Sequence, residues 1–257
     1  MVAELSGHVA IVTGGGTGIG AAIARRLASD GAAVAISGRR PGPLEEVARE
    51  ITAEGGRALA VAGDSATEAG VERLFHETEA AFGPVDILVN NAGIAGPTAP
   101  IWEQSCADWE ETVRINLTGP WLCSRAAARR MIERRSGNIV TIGSMSGKRP
   151  LAKRTPYTSS KLGLVGLTRT LAVELGEYNV NVNCISPGAV ATSRLAELAQ
   201  KAGITEAQLI TAASAGAALK RISTPEDIAA LVAFLASPGA RNITGIDITV
   251  DAGVWFS

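Results

Sequence analysis

Tyr157 and Lys161, four positions apart, carry the clearest chemical potential in this sequence. On an α-helix that spacing brings both side chains to one face, about 6 Å apart along the axis. A free phenol titrates near pH ~10 and is a poor proton donor or acceptor at neutral pH. An ammonium one turn away favours the phenolate, and lowering the value by two to three units needs roughly 3–4 kcal/mol. A tyrosine so tuned exchanges a proton with an alcohol or carbonyl oxygen. Alone, such a pair is more often a solvated helix face than an active site. Its meaning depends on what the chain places beside it.

A second set of residues points to a phosphate. The β-rich run Val9-Ala10-Ile11-Val12 leads into Thr13-Gly14-Gly15-Gly16-Thr17-Gly18-Ile19-Gly20, and an amphipathic run through Ile23 and Leu27 follows. Strand, glycine turn and helix together aim backbone N–H groups and a helix N-terminus at an anion. Ile19 stands where the GxGxxG pattern has its third glycine, and the GK[ST] ending of an ATP-type loop is absent. Beyond the next strand, where an NAD site usually carries an acid, the chain has Gly38 followed by Arg39 and Arg40. A missing carboxylate and a guanidinium that can grip a 2′-phosphate favour NADP(H), with NAD(H) as the alternative. The plainer reading of both arginines is solvated loop charge. Asp64, at a strand end, suits an adenine amino group or the cap of a helix starting near Thr67. Asn91, in the polar turn Asn90-Asn91-Ala92-Gly93, suits a structural or a cofactor-contact role. Asn116 sits within a helical stretch where asparagine is intrinsically unfavourable, and Ser144 ends a buried strand.

The elements that must position these residues alternate regularly. Strand-like runs fall near 9–12, 33–36, 57–64, 85–89, 138–142, 181–186 and 246–250, with helical runs between them. The expected fold is α/β: a single Rossmann-type, doubly wound domain over 1–257, with a seven-stranded parallel sheet and helices on both faces. Residues 190–222 are alanine-rich, polar and weakly patterned, the profile of a mobile substrate flap. Thr224-Pro225-Glu226-Asp227 opens a helix with a threonine cap, proline in the first turn and two acids. The helices near 107–135 and 155–178 are apolar over most of their circumference. One side of each can cover the sheet while the other meets a second subunit.

Composition narrows the function. The chain has 257 residues, 46% hydrophobic and 19% charged, so it can bury a large core. A net charge of −1 gives no electrostatic case for nucleic acid or an anionic membrane. No apolar run reaches the ~18 residues of a membrane span, and no signal-peptide pattern opens the chain. Cys106, Cys123 and Cys184 with His8 and His76 form no metal pattern. The expectation is a cytoplasmic protein with reduced, mostly buried thiols and no metal.

The motif set as a whole resembles the short-chain dehydrogenase/reductase family, of the classical type, over essentially the whole chain. The matching residues are Thr13-Gly14-xxx-Gly18-x-Gly20, Asn90-Asn91-Ala92-Gly93, Asn116, Ser144, Tyr157-xxx-Lys161 and Pro187-Gly188-xxx-Thr192. None is specific alone, and jointly they are highly specific. The resemblance implies that Tyr157 is the acid/base and that Ser144 hydrogen-bonds the substrate oxygen. It implies that Lys161 tunes Tyr157 and binds the nicotinamide ribose, and that Asn116 holds a water linking Lys161 to solvent. Gly14, Thr17, Gly18, Ile19, Gly20, Arg39, Asp64 and Asn91 would contact the cofactor, with Val190 and Thr192 against the nicotinamide. Arg154, Met145 and Ala95, with Ser144, would face the substrate. Arg154 would receive an anionic group, its alternative being a solvent-facing loop cation. The implied activity is oxidation of a secondary alcohol or reduction of a ketone on a small molecule, in a homotetramer or homodimer. A 3-oxoacyl-thioester reductase and a polyol or sugar dehydrogenase are alternatives within the family. A non-catalytic dinucleotide sensor is the alternative outside it, although a sensor has no use for a proton shuttle. A methyltransferase would leave the tyrosine and lysine unexplained.

Overall fold

The computed structural model describes residues 5–255. Seven parallel strands form one sheet in the order β3-β2-β1-β4-β5-β6-β7. They are β1 (Val9–Thr13), β2 (Ala33–Gly38), β3 (Arg57–Ala62), β4 (Ile87–Asn90), β5 (Gly137–Ile142), β6 (Val180–Pro187) and β7 (Asp247–Val250). Sequence alternation decides which face each side chain covers. Ala10 and Val12 of β1 pack with α1 (Gly18–Ser29), α2 (Pro41–Ala53) and α9 (Pro225–Ala236). Val9 and Ile11 point the other way, toward α3 (Glu68–Phe82), α5 (Gly119–Arg134) and α6 (Thr155–Leu175). Both faces are covered at the central strands β1, β2 and β4, which is why these read as nearly continuous apolar runs. The doubly wound parallel sheet expected from the sequence is the fold observed.

The strand order reverses between β1 and β4. At that switch point the loops after the two strands diverge and open a crevice at the carboxyl edge of the sheet.

Two expectations need correction, and a third stretch gains detail. The stretch 107–135 is not one helix: α4 (Cys106–Val113) passes through a π-helical turn, Arg114–Thr118, into α5. The wide turn is built around Asn116, whose polar side chain is satisfied off the helix. Residues 190–222 carry two helices, α7 (Ser193–Ala202) and α8 (Glu206–Ala215), the second opened by a capping box between Thr205 and Gln208. Asp64 does not cap α3; Thr67 does, its hydroxyl accepting from Gly70 N. At α9 the expected threonine cap is present, with Thr224 accepting from Asp227 N and Pro225 in the first turn.

Candidate active site

The glycine turn is built by close approach. Gly14 and Gly18 adopt φ of +66° and +54°, the left-handed region that glycine enters at least cost. Gly20 is needed for a different reason: a methyl group there would lie 2.2 Å from Gly14 O and 2.5 Å from Asn91 Nδ2. Gly20 therefore supplies the tight contact that the usual pattern assigns one position earlier, and Ile19 is free to be large. Asn91 pins the turn, its Nδ2 donating to Thr13 O (2.9 Å) and Gly14 O (3.2 Å). Thr13 Oγ1 accepts from Asn91 N and Ala92 N, tying the ends of β1 and β4 together across the switch point. The first N–H groups of α1 open onto the cavity, since the Thr17 side chain makes no capping bond.

Ser144 follows β5 at its carboxyl end. Its Oγ accepts from Ser146 N at 3.1 Å, so its own hydrogen is directed by the oxygen it meets in the cavity. Tyr157 and Lys161 lie in the first two turns of α6, which Pro156 helps to start. Lys161 is 5% exposed, donates from Nζ to Ile142 O at 2.8 Å, and stands 5.9 Å from the Tyr157 ring centroid. Arg154 Cζ is 4.9 Å from the same centroid. Two cations thus flank one phenol.

Asn116 is fully buried and joins three pieces of chain. Its Oδ1 accepts from Ile94 N (2.8 Å), and its Nδ2 donates to Ile94 O (3.0 Å) and Ser160 Oγ (3.2 Å). Ser160 Oγ in turn donates to Tyr157 O. Both amide hydrogens are thus committed to protein partners.

At the far end, Arg39 and Arg40 are exposed beyond β2. Asp64 Oδ1 accepts from Ala66 N and Oδ2 from Arg114 Nη1, both at 2.9 Å. Partial burial works against its charge, but the Ala66 and Arg114 bonds and the nearby Arg114 and Arg39 charges outweigh it, holding the carboxyl below its ordinary value.

One cavity of about 910 Å³ runs between these ends. Gly14, Thr17, Gly18, Ile19, Gly20, Arg39, Asp64, Asn91, Ser144, Met145, Arg154, Tyr157, Lys161, Val190 and Thr192 all line it. Ala95 and Asn116 do not. Ala95 meets Arg154 through its backbone, its carbonyl accepting from Arg154 Nη2 at 3.0 Å. Leu151, Leu195 and Leu198 complete an apolar wall that the sequence reading missed, although the i, i+3 spacing of the last two was a usable signal. The bare glycine floor, the open helix N-terminus and the length of the cleft fit an extended dinucleotide. Among the described residues no cluster of His, Cys, Asp and Glu could hold a metal.

Comparison with known proteins agrees with this geometry. A family profile described as enoyl-(acyl carrier protein) reductase matches residues 14–255. The chain is 39% identical over 253 residues to the 2,3-dihydro-2,3-dihydroxybenzoate dehydrogenase of Bacillus subtilis, covering 97% of this chain and 96% of that one. It is 40% identical over 246 residues to the cis-4-hydroxycyclohexanecarboxylate dehydrogenase of Sinomonas cyclohexanicum, covering 96% of each. A crystal structure from Agrobacterium tumefaciens, provisionally assigned as a gluconate dehydrogenase, superposes with a TM-score of 0.92 at 34% identity over 99% of this chain and 98% of that one. The chain therefore belongs to the short-chain dehydrogenase/reductase family, oxidoreductases that move a hydride between a nicotinamide cofactor and the carbon of an alcohol or ketone.

Proposed function

We propose that the protein is an NADP(H)-preferring dehydrogenase or reductase of a secondary alcohol or ketone that carries a carboxylate or similar anionic group. The observation that carries this reading is that Ser144, Tyr157 and Lys161 line the same cavity as the glycine turn. When bound, the nicotinamide supplies the carbon that gives or takes the hydride. The rest falls to the chain. Tyr157 Oη exchanges the proton of the substrate oxygen, and Ser144 donates a hydrogen bond that holds this oxygen against the phenol. Lys161, buried beside the ring, favours the phenolate and reaches for the ribose hydroxyls. Asn116 fixes the 91–94 loop to α6 and hence the distance from Lys161 to the cofactor floor. The test is Tyr157→Phe: cofactor binding persists and turnover falls by orders of magnitude, whereas a near-normal kcat refutes the assignment.

NADP(H) preference is supported by Arg39 lining the mouth of the cleft and by glycine at position 38. The anionic substrate is supported by Arg154, anchored to Ala95 O at the catalytic end and stacked on Tyr157. Lys153, at φ of +65°, accepts a hydrogen bond at its carbonyl from Ala99 N, fixing the loop that delivers the arginine. The relatives named above bear carboxylate-containing substrates in their names. Comparing kcat/KM of Arg154→Ala on a hydroxy acid and on the matching neutral alcohol decides the point, since equal losses discard the idea. A substrate panel that includes polyols and 3-oxoacyl thioesters discriminates the alternatives within the family.

Assembly as a homotetramer or homodimer through α4, α5 and α6 is supported by the apolar side chains those helices expose. Trp121 is 44% exposed, Leu162 51% and Val173 83%. A cytoplasmic setting is supported by the free thiols. No helix among the described residues is long and apolar enough to cross a membrane.

A further inference from the structure

The turn opened by Ser144 is gripped from two sides. On one side Gly147 lies against α6, where a methyl group would come within 3.2 Å of Leu162 N. On the other, Lys148 reaches over to β7. Its Nζ donates to Asp247 O (3.1 Å) and Thr249 Oγ1 (2.7 Å), and stands 3.2 Å from Asp247 Oδ2. The ammonium hydrogens aim at the two neutral acceptors, and the carboxylate oxygen is held by charge. The Asp247 side chain is 3% exposed and that of Lys148 17%. Asp247 Oδ1 accepts from Ser186 Oγ at 2.7 Å. Ser186 lies under Gly143, where a methyl group would come 3.0 Å from its Oγ. One buried carboxylate thus braces both the residue before Ser144 and the residue four positions after it.

A buried ion pair contributes little net stability over an apolar pair of the same shape, because desolvation offsets most of the attraction. Its established use is to fix register, and the register fixed here is that of the Ser144 hydroxyl. We propose that Lys148 and Asp247 are positioning residues that set Ser144 Oγ against the substrate oxygen met by Tyr157. This rests on the catalytic reading of Ser144 given above. A misplacement of about 1 Å in such a group costs on the order of a hundredfold in rate.

The experiment is a double-mutant cycle with kcat, KM and cofactor Kd as readouts. Lys148→Met combined with Asp247→Asn removes the charge pair while leaving Ser186 an acceptor. With Ser144 present, this double substitution is expected to lower kcat about 10- to 100-fold, with cofactor Kd unchanged. In a Ser144→Ala background the same double substitution should change kcat by less than about twofold, since there is no hydroxyl left to position. A full additive loss in that background overturns the proposal, because it shows that the pair acts on something other than Ser144. A Ser144→Ala enzyme with near-normal kcat overturns the reading of the site, and this inference with it. If the charge-pair variant does not fold, Thr249→Val decides instead. It removes one acceptor from Lys148, and the expected loss of about two- to fivefold in kcat must vanish in the Ser144→Ala background; persistence there overturns the proposal.

Discussion

Replacing Gly20 with alanine tests whether the glycine turn is built by close approach. The added methyl would sit 2.2 Å from Gly14 O, about 1 Å inside van der Waals contact, and 2.5 Å from Asn91 Nδ2. Neither neighbour can yield cheaply. Gly14 O belongs to a backbone held at φ of +66°, and Asn91 Nδ2 is engaged with Thr13 O and Gly14 O. Overpacking of this kind costs about 1–3 kcal/mol, and loss of the two Asn91 bonds adds roughly 1 kcal/mol each. The sum, about 3–5 kcal/mol, corresponds to a fall in Tm of roughly 10 °C for a chain of this size. Cofactor affinity should fall by at least a hundredfold, because the displaced backbone is the phosphate-facing one. Gly18→Ala is the control. Its φ of +54° costs about 1–2 kcal/mol, but the new methyl meets only Thr192 Cγ2 at 3.4 Å, an ordinary contact. Thermal melts and cofactor titration by protein fluorescence separate the two. A Gly20→Ala protein that melts within 2 °C of wild type and binds cofactor normally refutes the steric account.

Other outcomes follow from the same structure. Arg39→Ala should lower kcat/KM for NADP(H) by about 10- to 100-fold, the worth of one charge-assisted contact to a 2′-phosphate, and leave NAD(H) little changed; equal loss with both cofactors removes Arg39 from the phosphate site. Asp64 has its pKa lowered by folding, so the stability it contributes is fully present above the unfolded value of 3.8 and is lost as pH falls through the lower folded one. Denaturant titrations should therefore show a constant gap between wild type and Asp64→Asn from neutral pH down to about 5, shrinking only below 3.8. Burial pushes the thiols of Cys123 and Cys184 up to about 12, whereas Cys106 is exposed. Iodoacetamide at pH 8 should label Cys106 alone in the native protein and all cysteines after unfolding, a result read by mass spectrometry. Val173→Asp together with Leu162→Asp places charge on the exposed apolar face of α6 and should shift the assembled protein toward monomer in light scattering.

Tyr157 and Lys161 were legible because their spacing is that of one helical turn, a local geometry fixed by the backbone itself. The glycine turn was legible for the same reason, and so was the capped start of α9. The break in 107–135 was not, because the π-turn exists to let Asn116 bond Ile94 and Ser160, partners that lie 22 and 44 residues away in the chain. The backbone contact of Ala95 was hidden for a similar reason: only the folded loop shows its carbonyl turned to Arg154, 59 positions away. Lys148 passed unnoticed because its partners lie about 100 positions further on.

The sequence by itself determined the alternation of strand and helix, the doubly wound parallel sheet and the one-turn spacing of Tyr157 and Lys161. Those depend on periodicity and on contacts within a few residues, where the backbone leaves little choice. The tertiary structure decided which glycine takes the close contact, what Asn116 and Asp64 hold, and how the Ser144 turn is braced from β7. Each of these is a contact between segments far apart in the chain, made only when the sheet brings strand ends together at one edge.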